Sequence, residues 1–527
     1  MTTNPEAQDR RAETGGDDAY SHFSDRRRRF LAFLLGYVTL ASSLTATIYF
    51  PLIELLSTQY ATSVQAINLT ITLYVVFQAV SPALFAPLSD SFGRRPVLLG
   101  TFALYAAAGL GLALNRTSYA ALLVLRGLQS LGGSAVLALA YGVVADVVAS
   151  SERGRMLGPL MAATNLGPCA GPLLGGAIAW ETGRTDWCFW TLVAFGATAF
   201  FLIGWTLPET NRAIVGNGSV DARGVWRTWW EVLLRLLRRR GQFRSKEQQM
   251  ADDGDLESRA DRGTTANGRG KLIIPNPLGP LRIVFYRDTA LTLWTAAVVY
   301  TVWYCIQTSI PVIYGPIYHF NNFQVGLSYL AGGSGVIAGG FLAGRLMDWN
   351  YRVVAVNHGL PTDHRKGDDI YDFPIEKARA RGCLLNFGVY MCEVVAFGWL
   401  VHYEVHFSAS LVLQFFIGAH GTMIHQVFNA LLVDIFPESP STAAAAGNIT
   451  RCGMSAAVVA FMEPLVSAIG RGCFFTLIGL LSSLSGMAAV LILTRKGHAW
   501  RKQRLGVKKA ETSNRTVMDS CEPKPKE

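Results

Sequence analysis

Twelve apolar stretches, each near twenty residues long, constrain this chain more than any other feature. They fall at 31–50, 66–86, 97–114, 120–141, 156–179 and 187–207, and again at 290–313, 325–345, 383–401, 408–433, 442–468 and 473–494. About twenty residues at 1.5 Å rise each cross the hydrocarbon core of a bilayer as one α-helix. Inside hydrocarbon every backbone N–H and C=O needs a partner within the protein, and a continuous apolar run meets that need only as a helix. The charge content agrees: 16% of residues are charged and 50% hydrophobic, where soluble domains carry roughly 25% charged residues. The expected fold class is an all-α membrane protein, six spans and six, with a long polar insert between the sets.

The net charge of +10 resides in tails and loops. Arg94-Arg95, Arg153, Arg155, the central insert and the 352–381 loop fall on one side of the spans, against little more than Arg116, Arg184 and Arg471 on the other. The positive-inside rule puts both termini in the cytoplasm, and the basic balance is topological rather than a nucleic-acid footprint. The segments are a cytoplasmic tail (1–29), a six-helix bundle (30–207), a cytoplasmic loop (208–287), a second bundle (288–494) and a second tail (495–527). No cleaved signal peptide is expected, because no short apolar region with a cleavage site precedes the first span. Within the insert, Trp226, Trp229, Trp230, Leu233 and Leu237 recur at the spacing of one helical face, flanked by arginines. Such a helix fits either the anionic leaflet or the protein's own cytoplasmic surface. Residues 242–270 are polar and mixed in charge and read as a disordered linker. The eight cysteines have no metal-ligand or disulfide spacing, so no metal is expected.

Three polar motifs interrupt the apolar pattern. Between the second and third spans lies Ala86-Pro-Leu-Ser-Asp90-Ser-Phe-Gly93-Arg94-Arg95, and between the eighth and ninth lies Gly344-Arg-Leu-Met-Asp348-Trp-Asn-Tyr-Arg352. Both have a small residue four before an Asp and an Arg four after it, an internal repeat of the kind transporters are built from. An Asp at a helix end can accept from the Arg and from a neighbouring helix N-terminus, which makes a latch. The fourth span contains Arg126 in Leu125-Arg-Gly-Leu-Gln129-Ser-Leu-Gly132. A charge inside a membrane helix is costly and marks a functional site by default, unless the side chain snorkels to the nearby outer interface. The fifth span carries Gly167-Pro168-Cys-Ala-Gly171-Pro172-Leu-Leu-Gly175-Gly176. Gly167, Gly171 and Gly175 share a face that lets another helix approach closely, and the prolines free carbonyls and bend the helix.

On these residues the chain resembles the major facilitator superfamily, and within it the twelve-span drug:proton antiporters of fungi of the quinidine-resistance type. The first loop is similar to the family's Gly-x-Leu-x-Asp-x-x-Gly-Arg-Arg signature with Ala86 in the leading position. Arg126 to Gly132 resembles its Arg-x-x-Gln-Gly-x-Gly signature with Ser130 for a Gly. The Gly-Pro segment resembles its antiporter signature. The resemblance covers 29–494 outside the insert. It implies two six-helix bundles around a central cavity, proton-coupled efflux of small amphipathic molecules, no cofactor beyond the proton gradient, a monomer, and residence in the plasma membrane or the vacuolar one. It also implies a role in proton transfer for Arg126, while gating by Asp90 with Arg94 and by Asp348 with Arg352 is expected from the repeated latch.

Arg451 and Glu463, both on the eleventh span, are candidates for the cavity or a charge relay because of their cost in lipid. The resemblance lines the cavity with the first, fourth, seventh and tenth spans. On the seventh, Tyr300, Trp303, Gln307 and Tyr314 share a face, with Tyr314 better read as bundle core. On the tenth, Gly418, Gly421, His425 and Asn429 do, while His420 points elsewhere. An aromatic wall opposite a few hydrogen-bonding groups suits varied amphipathic ligands, and His425 could titrate near neutral pH. The substrate-binding candidates are therefore Tyr300, Trp303, Gln307, His425 and Asn429. Glu393 is expected to be buried and protonated.

Competing readings are proton-coupled uptake, a non-transporting membrane sensor, and a membrane acyltransferase using the His364–Asp369 spacing of a polar loop. No nucleotide-binding P-loop is present, so ATP is not the direct energy source. The topology has a direct check. A tag at Ser258 is expected to react with an impermeant label only after the cells are permeabilised, and labelling in intact cells would invert the assignment.

Overall fold

The computed structural model describes residues 21–148, 153–218, 220, 222, 224–235, 237, 279–357, 373–436 and 440–521. The first six spans are α1 (Asp25–Thr47, carried on through a 3-10 turn by Ile53–Gln59), α2 (Val64–Phe92), α3 (Arg94–Leu114), α4 (Tyr119–Gly133 and Val136–Val147), α5 (Arg153–Thr182) and α6 (Asp186–Thr206). The second six begin with α7 (Arg287–Tyr318), α8 (Asn322–Asn357), α9 (Cys383–His402) and α10 (Phe407–Ile435). The helical run Pro440–Cys521 breaks at Gly470 (φ 79°, ψ 162°), which separates α11 (440–469) from α12 (471–521). Among the described residues, ten helical segments are long and apolar enough to cross a membrane. One, Thr442–Gly506, contains the Gly470 break and supplies two spans, and α5 completes the twelve.

Pairings in the first half recur in the second. α1 lies on α5, α2 on α4 and α3 on α6. Correspondingly α7 lies on α11 through Thr301–Ser455 and Thr308–Met462. α8 lies on α10, and α9 on α12 through Phe397–Phe475 and Trp399–Thr476. Across the halves α5 meets α8 and α2 meets α11. α1 begins at the terminal end of the bundles, and the opposite end is the distal one.

Both half-ends extend beyond the apolar pattern. Ser24 caps α1, its hydroxyl accepting from the Arg27 amide, so Arg26 to Arg29 stand on the helix rather than in a tail. At the other extreme, helix continues past Thr494 to Cys521, and the first turns of that extension pack beneath the second bundle. Arg501, 2% exposed, donates from Nε to Glu376 Oε1 (2.7 Å) and from Nη2 to the Phe373 carbonyl (2.7 Å). Arg504 pairs with Asp288 at 2.9 Å. Polar composition hid this docking, because charge satisfied inside reads like charge in water. In the insert, Trp229 sits against Phe200, Phe201 and Trp205 of α6, its ring filling the space at Gly204. The tryptophan stripe therefore anchors to the protein's own surface, with Trp230 left exposed. The 242–270 linker and the His364 loop lie outside the described residues.

Removing one partner of a buried ion pair strands the other charge, at a cost of about 3–5 kcal/mol. Glu376→Ala is expected to lower the thermal stability of the detergent-solubilised protein by several degrees, and Glu376→Gln by less. Unchanged melting in both would show that the 501 turn is not docked.

Candidate transport pathway

The Gly-Pro segment of α5 forms two backbone-close seams. A Cβ on Gly171 would lie 2.1 Å from Thr47 Oγ1, and one on Gly175 would lie 2.3 Å from the Ile48 carbonyl, both on α1. Thr47 and Ser43 donate to the carbonyls of Gly167 (2.9 Å) and Ala163 (3.3 Å). Gly176 faces the other half: its Cβ would meet the Asn322 carbonyl at 2.4 Å and Gly326 Cα at 3.0 Å on α8. Farther along, Gly333 of α8 abuts Cys169. One helix thus binds its own bundle with one face and the opposite bundle with another. Pro159, Pro168 and Pro172 stay within a continuous helix. Further contacts between the halves gather toward the distal end. Gln65 donates to the Ala460 carbonyl (2.8 Å), Phe50 stacks on Tyr329 and meets Tyr304 edge-on, and Gly315 abuts the Glu54 carboxylate.

At the terminal end of the first half, Arg94 pairs with Asp90, donates from Nε to Asp146 Oδ2 (2.9 Å) at the end of α4, and donates from Nη1 to Ser89 Oγ (2.7 Å). Its guanidinium lies where a Cβ on Gly142 would be. The α3 N-terminus is capped by Glu209 rather than by Asp90. The Glu209 carboxylate accepts from the amides of Arg94 (2.8 Å), Arg95 (3.3 Å), Thr210 (2.9 Å) and Asn211 (2.9 Å). Gly93 has φ 102°, and a Cβ there would stand 2.5 Å from Glu209 Oε2. Only glycine fits both the dihedral and the space.

The second half does not repeat the Asp348–Arg352 latch. α8 runs unbroken through both residues, which are exposed and make no ion pair with one another. No positive-φ glycine stands where Gly93 does, so the helix does not end there. The equivalent cross-link comes from Arg379, which donates from Nε to Asp434 Oδ2 (3.0 Å) near the end of α10, beside Gly382 (φ 80°) at the start of α9.

Between the halves stand two arginines among tyrosines. Arg126 is 1% exposed and sandwiched between the rings of Tyr49 and Tyr74, 4.3 Å from each centroid, with Nη1 donating to Gln129 Oε1 (2.8 Å). It does not snorkel: cation–π contacts from α1 and α2 hold it inside. Arg451 lies over the Tyr300 ring (4.9 Å) and donates from Nη2 to Asn448 Oδ1 (2.8 Å). Asn448 in turn donates to the Gln78 carbonyl of α2 (2.6 Å). Tyr300 also neighbours His425 (5.7 Å) and Tyr304 (5.9 Å), and Asn429 lies 3.1 Å from the His425 ring. Tyr300, His425, Asn429 and Arg451 are thus brought together, each half-buried.

The other candidates lie elsewhere. Trp303 packs on Gly332 of α8, in the seam with α10. Gln307 is buried beside them, its carbonyl accepting from Tyr329 (2.7 Å) while both side-chain atoms lack partners. Tyr314 is bundle core, bonded to Gln414 (2.8 Å). Glu463 lies near the distal end of α11, apart from the cluster. Glu393 pairs with His420 at 2.8 Å on the α9–α10 face, away from His425. The spacing argument missed Tyr49, Tyr74, Tyr304 and Asn448. Aromatic residues in apolar spans resemble packing, and only an arginine nearby distinguishes these.

A two-bundle, twelve-span membrane protein whose bundles meet over glycine seams around buried polar groups is a membrane transporter, not an enzyme. The description Major Facilitator Superfamily matches residues 35–458. The MFS-type transporter tstD of Talaromyces stipitatus is 34% identical over 500 residues, 94% of this chain and 86% of the relative. Citrate exporter 1 of Aspergillus niger is 28% identical over 510 residues (95% and 92%), and the multidrug transporter QDR2 of Candida glabrata 28% over 493 (90% and 81%). The chain belongs to the Major Facilitator Superfamily and is a transporter of the fungal type, with a small-molecule substrate and the bilayer as its surroundings.

The α5 seam has no room for a side chain. Gly171→Leu is expected to abolish transport by forcing α5 off Thr47 and Ile48, while Gly158→Leu, where a Cβ meets nothing within 4 Å, leaves it intact. Flux assays at matched surface abundance check this; wild-type flux in Gly171→Leu would show that the seam opens.

Proposed function

We propose that the chain exports small organic molecules from the cytoplasm in exchange for protons, as a monomer in the plasma membrane with both termini cytoplasmic. The observation that carries this reading is α5, whose Gly-Pro segment binds α1 on one face and α8 on the other. A helix shared in that way by both bundles suits alternating access, in which the bundles rock about a cavity and expose it to one side at a time. The cavity is the region of Arg126, Tyr300, His425, Asn429 and Arg451. The names of the relatives favour export, one a citrate exporter and one a multidrug transporter. Arg126 acts as a fixed charge that a moving proton or substrate must balance, and His425 lies with Tyr300 and Asn429 in the second half. Asp90, Arg94 and Asp146 hold the terminal end in one of its two states.

Flux by the reconstituted protein is expected to follow an imposed pH gradient and collapse with a protonophore. Asp90→Asn and Arg126→Ala should each lose it at normal surface abundance. Flux indifferent to the gradient would make the chain a uniporter. Flux driven only inward would make it an uptake system, and full flux in both variants would reduce the latch and the arginine to packing.

A further inference from the structure

Two positive charges stand between the halves with no carboxylate to meet them. Among the described residues, neither Arg126 nor Arg451 has an acidic side chain within ion-pair distance. The acids of the spans are engaged elsewhere. Asp90 and Asp146 are held by Arg94, Asp288 by Arg504, Asp434 by Arg379, and Glu393 by His420. Of the remainder, Glu54 abuts Gly315 at the distal end. Glu463 stands twelve residues beyond Arg451 on α11, about 18 Å along the axis at 1.5 Å per residue. Unpartnered buried polar atoms at Arg126 include its own Nε, Gln129 Nε2 and the Tyr74 hydroxyl. Phe50, next to the Tyr49 that covers Arg126, meets Tyr304 edge-on, Tyr304 adjoins Tyr300, and Tyr300 carries Arg451. A run of aromatic rings therefore joins the two guanidiniums.

Cation–π contacts offset only part of the cost of a buried guanidinium, each contributing about 0.5–2 kcal/mol. A guanidinium fork is the planar match of a carboxylate, able to give two parallel hydrogen bonds. A cationic ligand would meet two uncompensated like charges at low dielectric. We propose that the transported molecule is an organic anion, with a carboxylate received by Arg126 and Arg451 and its apolar body against Tyr49, Tyr74 and Tyr300. This assignment rests on the exporter reading above and narrows its substrates from amphipathic compounds in general to organic acids.

The test compares the small molecules secreted by the native host with and without the chain, by mass spectrometry of the medium. Variants Arg451→Gln and Arg451→Lys are expressed at matched surface abundance. Arg451 is preferred to Arg126 because it is less completely buried and its loss leaves less stranded inside. Compounds whose secretion depends on the chain are expected to be acids ionised at cytoplasmic pH. Their export should fall about tenfold or more in Arg451→Gln, the scale of a lost charged hydrogen bond, with partial recovery in Arg451→Lys. Dependent compounds that are amines or neutral would overturn the anion assignment while leaving the exporter standing. Equal export of acids by Arg451→Gln and the parent would overturn the role of Arg451. Secretion that nowhere depends on the chain would remove the exporter reading, and this proposal with it.

Discussion

Hydrocarbon accepts no hydrogen bonds, and the rest of this structure is arranged around that constraint. It turns apolar runs into helices and forces each polar group in a span to find a partner inside the protein. Arg126 illustrates the outcome: two tyrosine faces and one glutamine oxygen meet a charge that lipid could not. Glu393 and His420 solve the same problem as a pair. At the terminal end, where water is near, carboxylates and arginines cross-link helix ends, as Asp146 does with Arg94 and Asp434 with Arg379.

The two halves reach similar architecture by different chemistry. In the first, Gly93 ends α2 and lets Glu209 cap α3, so the arginines follow the turn. In the second, α8 overruns the corresponding point, and the cross-linking arginine precedes Gly382. The conserved element is the link from the start of the third helix of a half to the end of its fourth. A sequence pattern of Asp and Arg four residues apart identifies that link only where a glycine also breaks the helix.

Legibility followed the same line between backbone and partner. Span number, the division at the insert and the close approach of α5 were readable because length and glycine spacing act on the backbone directly. The convergence of Tyr300, His425 and Asn429 was readable as shared helical faces. Trp303 shared that face too, yet it turned into the α8 seam, because face assignment does not say which neighbour lies opposite. Tyr49 and Tyr74 were not legible, since their role depends on an arginine from a helix distant in sequence. Nor was the docking of Arg501, whose partner Glu376 lies 125 residues away.

The seams of α5 differ in kind from the core around them. Elsewhere the bundles interlock through side chains, and sliding one helix past another means resetting rotamers. Where Gly176 of α5 meets Gly326 and the Asn322 backbone of α8, there are none to reset. The surface there behaves as a bearing: movement across it costs little side-chain entropy, and it does not favour either position by itself. The preference for one orientation is then set at the rim, by contacts such as Gln65 with Ala460 and Asn448 with Gln78, and by whatever occupies the cavity. A transporter built in this way is tuned through its edges while its pivot stays bare.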